Sequence, residues 1–182
     1  YGLGYQRAKY TLTAIDALTP AGEERIYTDD KQYLKSSSID WDWGALEASV
    51  ATWPRESLIL EFVTPTHLAS QGKAIQLADL RFEGLMRAIF RRGSTLASFF
   101  CGREWHLDYG GLLHAAADVT LTVEDGDWVR WGRYSKRQGR RMPMKGFVGK
   151  VTLQGDLEPF RPFLKLGEWL HVGKHTTLGL GR

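Results

Sequence analysis

Apolar and polar residues change their spacing several times along the chain, and each change marks an element. In residues 5–18, Tyr10, Leu12 and Ala14 alternate with Lys9, Thr11 and Thr13. That period of two predicts a strand with one buried face. Thr19-Pro20-Ala21-Gly22 supplies the turn chemistry that ends it. The polar stretch to Ser38 reads as a loop or hairpin excursion. Asp40 is placed to cap a short helix through Ala45, Leu46 and Val50, which must stop before Pro54. Residues 57–63 are apolar on both faces apart from Glu61, the pattern of a central strand covered on both sides.

A change to helical spacing follows. Asp79 reads as an N-cap, and Phe82, Leu85, Met86, Ile89 and Phe90 form one apolar stripe of a helix running toward Phe100. A second helix is expected over residues 109–117. The alternation from Val119 to Val123 then predicts a strand, with Glu124-Asp125-Gly126-Asp127 as a hairpin turn after it. In residues 146–154, Phe147, Gly149, Val151 and Leu153 share one face of a further strand. Asp156 and Pro159 open the last helix, with Leu157, Phe160, Phe163 and Leu164 on its apolar side. Gly173 stands where a helix C′ glycine belongs, and a final strand is expected from Leu178.

From residue 57 the order is strand, helices, strand, strand, helix, strand. That order predicts an α+β, ferredoxin-like (RRM-like) antiparallel sheet with helices packed on one face and the other face open. The expected organisation is an N-terminal extension over residues 1–55, made of strand, loop and short helix, followed by a ferredoxin-like domain over residues 56–182. A chain of 182 residues that is 43% hydrophobic can bury such a core without disulfides or metals. The single Cys101, beside Phe99 and Phe100, is expected to be a small buried hydrophobe. With no long apolar run and no signal peptide, the expectation is a cytoplasmic protein without a membrane partner. A start at Tyr1 and a stop at Arg182 suggest part of a longer protein.

Charge sharpens the picture. The net charge is only +3, but between Trp128 and Gly155 there is no acidic residue. The same stretch holds Arg130, Arg133, Lys136, Arg137, Arg140, Arg141, Lys145 and Lys150, so the rest of the chain is net acidic. A solubility surface normally mixes both signs. Here the cations alternate instead with Trp128, Trp131, Tyr134 and Phe147, as in proteins that pair phosphates with Arg and Lys and stack bases on rings. Lys145-Gly146-Phe147 begins like an RRM signature, but Val148 and Gly149 depart from it.

The C-terminal run from Gly173 to Gly181 is not a nucleotide-triphosphate loop. Gly167 and Gly173 are one residue too far apart for that motif, and Lys174 precedes His175 rather than Ser or Thr. The glycines do let bare amides approach a ligand. Gly173, Gly179 and Gly181, with the cations from Arg130 to Lys145, are therefore the candidate RNA-binding residues. His171 and His175 have zinc-like i, i+4 spacing, but Gly173 lies between them and no Cys or H-E-x-x-H completes a site. No metal or cofactor is expected. The candidate catalytic groups are His171, His175 and Lys174, because imidazole moves protons near neutral pH. His67 and His114 sit among apolar residues and read as structural.

Several motifs, in order, resemble the C-terminal domain of the CRISPR-associated RAMP endoribonucleases. They are Arg133-Tyr134-Ser135-Lys136-Arg137-Gln138, Gly146-Phe147-Val148-Gly149, Gly155-Asp156-Leu157-Glu158-Pro159-Phe160, Leu166-Gly167-Glu168-Trp169-Leu170-His171-Val172-Gly173-Lys174 and Gly179-Leu180-Gly181-Arg182. The resemblance implies tandem ferredoxin-like folds, a glycine-rich loop on RNA, and metal-independent cleavage of a CRISPR repeat hairpin leaving a 2′,3′-cyclic phosphate. It also implies association with other CRISPR-associated proteins, and a scaffold subunit that binds RNA without cutting it is the rival expectation. His175 departs from the pattern, standing where such loops carry glycine. The N-terminal ferredoxin-like domain, where the family's catalytic histidines often lie, is expected to be absent or incomplete.

Overall fold

A computed structural model describes residues 8–36, 41–135 and 138–182. The chain divides into two compact units, Tyr1–Ser49 and Val50–Arg182.

In the first unit, β1 (Ala14–Thr19) and β2 (Gly22–Thr28) form an antiparallel hairpin through the Pro20-Ala21 turn. The predicted strand is therefore shorter than its alternation suggested, and the polar stretch after it supplies the partner strand. Charge rather than apolar burial marks that pairing: Arg25 pairs with Asp16, and Lys35 with Glu24. A short helix, α1 (Trp43–Ser49), follows, and the Asp42 carboxylate accepts the Ala45 amide at its start. Asp40, expected as the cap, lies outside the described residues.

The second unit begins with β3 (Ser57–Thr66), two short strands β4 (Ala69–Ser70) and β5 (Lys73–Ala74), and a 3-10 turn at Leu77–Asp79. Helices α2 (Phe82–Cys101) and α3 (Tyr109–Ala117), strands β6 (Thr120–Ser135) and β7 (Arg140–Gln154), and helix α4 (Arg161–Leu170) complete it. The main sheet has the order β3-β7-β6 with every neighbour antiparallel. A βαββα order with the third strand between the first and the second matches the first three strands of the ferredoxin-like fold, and among the described residues no fourth strand flanks β3. Phe62, Phe147, Val151 and Leu153 face a core shared with Leu85, Met86, Ile89 and Phe90 of α2 and Phe163 and Leu164 of α4. Burying a side chain of this size is worth about 1.5–3 kcal/mol, so this one layer dominates stability.

Seven expectations need correction. Strand β3 is an edge strand, since among the described residues only β7 pairs with it, and Ile59 (69%) and Val63 (57%) are exposed because the helices cover only one sheet face. Glu124-Asp125-Gly126-Asp127 is not a turn: β6 runs through it, with a register shift between Val123 and Asp125. The Asp125 carboxylate accepts the Lys150 amide at that bulge, and Gly126 lies opposite Gly149 inside the ladder. Helix α2 begins after Asp79, with Arg81 in the capping position, and α4 begins at Arg161 rather than at Asp156. The residues expected to open the last strand instead form a 3-10 turn, Thr176–Leu178. Finally, Cys101 is exposed, with Phe99 and Phe100 80% exposed beside it, because the last turn of α2 extends past the core; His114 is exposed as well.

Candidate nucleic-acid interface

The β6–β7 ladder carries the basic stripe. Its fifteen-residue β7 is long because the bulge at Asp125 lets the pairing continue instead of turning. Arg130 stands opposite Lys145, Trp131 opposite Met144, Arg133 opposite Met142, Tyr134 opposite Arg141, and Ser135 opposite Arg140. Arg133, Arg140 and Arg141 are thus grouped toward the hairpin tip, while Arg130 and Lys145 lie nearer the core. Lys136 and Arg137 fall outside the described residues. Among the described residues, no carboxylate forms a salt bridge with Arg130, Arg133, Arg140, Arg141 or Lys145.

The glycine-rich end is anchored on both sides of the C-terminal end of β3. The Lys174 amide donates to the His67 carbonyl at 3.0 Å, and the Thr64 amide donates to the Arg182 carbonyl at 3.1 Å. The Arg182 amide returns a 2.8 Å bond to the Thr64 hydroxyl. Inside the loop, the Val172 amide donates to the Gly181 carbonyl at 2.8 Å. Two glycines are required by this closeness. A Cβ on Gly173 (φ +88°) would lie 2.4 Å from the His67 carbonyl oxygen. One on Gly181 (φ +84°) would lie 1.9 Å from the Val172 oxygen. His175 itself takes a left-handed conformation, φ +66°, so its departure from glycine is accommodated with backbone strain.

His67 joins the loop to the hairpin. It is buried, its carbonyl holds Lys174, and its Nδ1 is 2.9 Å from the Lys145 carbonyl. A carbonyl only accepts, so Nδ1 carries the proton and the neutral ring leaves Nε2 as an acceptor. Burial holds the His67 pKa below its ordinary 6.5. The charges of Lys174, Lys145 and His175 push the same way, and the Lys145 carbonyl opposes them.

These elements surround a cavity of about 530 Å³. His67, Arg130, Lys145, Lys174 and His175 supply its polar lining, and Trp131, Pro143 and Met144 the rest. Three permanent cations line it and no carboxylate does. Two larger cavities differ. One, about 650 Å³ along the free edge of β3, is lined mainly by apolar residues and carries Glu61 and Glu168 with Arg182. The other, about 800 Å³, has Glu56, Asp156 and Glu158 against Arg55. Size favours those two, but charge selects the smaller cavity for a polyanion.

The predicted residues therefore separate. Arg130, Lys145, Lys174 and His175 come together at the cavity. Gly173, Gly179 and Gly181 shape the loop beside it. His171 does not line the cavity; its Nδ1 is 3.0 Å from the Leu180 carbonyl, so it braces the loop from within. Sequence reasoning treated His67 as structural and named Trp131 only as one of four aromatics interleaved with the cations. Only the fold, which brings residues 78 positions apart into hydrogen-bond contact, places both at the cavity. No group of three or more His, Cys, Asp or Glu among the described residues is arranged to hold a metal ion, and no helix is long and apolar enough to cross a membrane.

Residues 60–182, two thirds of the chain, match the family model for the CRISPR-associated endoribonuclease Cas6. The chain belongs to the Cas6 family. The fold agrees with that of a solved Cas6 product complex, which superposes with a TM-score of 0.51 at 20% identity, over 78% of this chain and 55% of the other. Thermus thermophilus Cas6 gives a TM-score of 0.46 at 18% identity, over 88% of this chain and 64% of its own. The chain thus spans little more than half the length of the solved Cas6 it superposes on best of these. No curated protein matches it in sequence.

Proposed function

We propose that this chain binds and processes CRISPR repeat RNA as the C-terminal portion of a Cas6 endoribonuclease. The observation that carries the reading is the carboxylate-free cationic cavity where the basic hairpin meets the glycine-rich loop, in a chain of this family. Phosphate oxygens would sit against Lys145, Lys174 and Arg130, with bare amides of the loop as further donors. Arg133, Arg140 and Arg141 extend the positive track toward the hairpin tip, and Lys136 and Arg137 lie between them in sequence.

For cleavage, the ribose 2′-hydroxyl is the nucleophile. It attacks the adjacent phosphorus, the bond to the 5′-oxygen breaks, and the products are a 2′,3′-cyclic phosphate and a 5′-hydroxyl. A neutral imidazole accepts the 2′ proton, the departing 5′-oxygen takes a proton from water, and a cation stabilises the charge that develops on the phosphorane. His175 and Lys174 line the cavity and take those roles here. His171, committed to the Leu180 carbonyl, holds the loop. Proteins of the family carrying out this reaction would assemble with other CRISPR-associated proteins in the cytoplasm.

Incubating repeat RNA with the protein in EDTA tests the reading. Cleavage to a cyclic-phosphate end supports it. Strict dependence on added Mg²⁺ would overturn the mechanism, and tight binding with intact RNA would leave binding without catalysis.

A further inference from the structure

The cavity is more than a phosphate site. A pure phosphate cradle needs donors and positive charge, yet one wall here is Trp131, Pro143 and Met144, and Met144 is buried at 5% exposure. Trp131 and Met144 are directly opposed across the β6–β7 ladder, so ring and thioether form one continuous apolar surface. Arg130 and Lys145, the next opposed pair, leave the other face of the ladder, and they line the cavity as well. Lys174 and His175 approach from the glycine-rich loop. A volume of about 530 Å³ exceeds what a phosphate group needs and suits a nucleotide.

We infer that this cavity receives a single unpaired nucleotide, its base stacked on Trp131 against Met144 and Pro143 and its flanking phosphate held by Lys145 and Lys174. The inference rests on the RNA-binding reading above and adds the form of RNA bound there. A base held inside a duplex could not enter, so the occupant is a nucleotide at a loop, a bulge or a strand end. Stacking discriminates weakly between bases, because every base presents a π-face. His67, with Nδ1 committed to Lys145, offers Nε2 as an acceptor, which would favour a base or ribose donor beside it.

The test compares three probes on the full chain: a short unpaired oligoribonucleotide, an abasic oligomer of the same length, and inorganic polyphosphate. Wild-type protein is expected to bind the base-bearing oligomer about tenfold or more tightly than the abasic one, as a stacked base contributes. Trp131→Ala should erase that difference while leaving polyphosphate binding unchanged, which also shows that the variant is folded. Trp131→Tyr should restore most of it. Lys145→Ala with Lys174→Ala should weaken all three probes. A Trp131→Ala variant that keeps the preference for bases, or loses all three probes equally, overturns the nucleotide site. Wild-type protein that binds polyphosphate but neither oligomer overturns the RNA-binding reading itself.

Discussion

Arg130 lies directly opposite Lys145 across the β6–β7 ladder. Like charges so placed destabilise a sheet, by roughly 0.2–1 kcal/mol on the scale of cross-strand pairs. No described carboxylate forms a salt bridge with either. A local rule broken without a structural gain points to a ligand that supplies the missing charge. Lys145→Thr is therefore expected to raise the melting temperature slightly, by a degree or a few, while weakening RNA binding. The slope of log affinity against log salt should fall by about 0.7–0.9, since one fewer counterion is released. Thermal melts and a salt titration check the two halves separately.

Protonation of His67 opposes the fold. Its folded pKa lies below the unfolded value, so folding favours the neutral ring. That contribution is complete above about pH 6.5 and is lost as pH falls from there through the folded value. Denaturant melts between pH 7.5 and 5 should show the loss, and His67→Gln should remove this part of the pH dependence. An RNA donor accepted at Nε2 favours the neutral ring in the same way, so binding near pH 6 should release a fraction of a proton, measurable by calorimetry in two buffers.

How much of this was legible follows from range of interaction. The face of Phe147, Val151 and Leu153, the α2 stripe and the basic stripe are local patterns, and the sequence displays them directly. Glu124-Asp125-Gly126-Asp127 has the composition of a turn, but the pairing of β6 with β7 overrides it and makes a bulge. The edge position of β3 depends on which strands flank it, which its own apolar run does not encode. His67 reads as a structural histidine and is one. Its further place at the cavity depends on Lys145 and Lys174, both remote in sequence.

Gly93, in the middle of α2, sets two effects against each other. Alanine there gains about 1 kcal/mol of helix propensity. A Cβ at that position, however, would come within 2.2 Å of the Trp105 ring, which packs against Phe90 and Phe163. Displacing an indole from that cluster costs about 1–3 kcal/mol as overpacking. The clash should win, so Gly93→Ala is expected to lower stability by a net ~1–2 kcal/mol, read from urea melts. RNA affinity should be unchanged, since Gly93 and Trp105 do not line the cationic cavity.

The glycine-rich loop permits a contrast between two positions with nearly the same backbone. Gly179 (φ +79°) and Gly181 (φ +84°) both hold left-handed conformations, so alanine at either costs about 1–2 kcal/mol of local strain. Space separates them. A Cβ on Gly179 meets nothing within 4 Å, whereas one on Gly181 would lie 1.9 Å from the Val172 oxygen and 2.9 Å from its carbonyl carbon. Backbone cannot rotate away as a side chain can, so Gly181→Ala must break the bond from the Val172 amide to the Gly181 carbonyl. The neighbouring bonds between Arg182 and Thr64 should loosen with it. Gly179→Ala is expected to reduce RNA affinity only a few-fold, and Gly181→Ala to reduce it at least tenfold while the sheet and helices persist by circular dichroism. Faster amide exchange at Thr64 and Val172 in the second variant alone would locate the damage. Equal effects from the two substitutions would show that strain, and not the close backbone contact, sets the loop's shape.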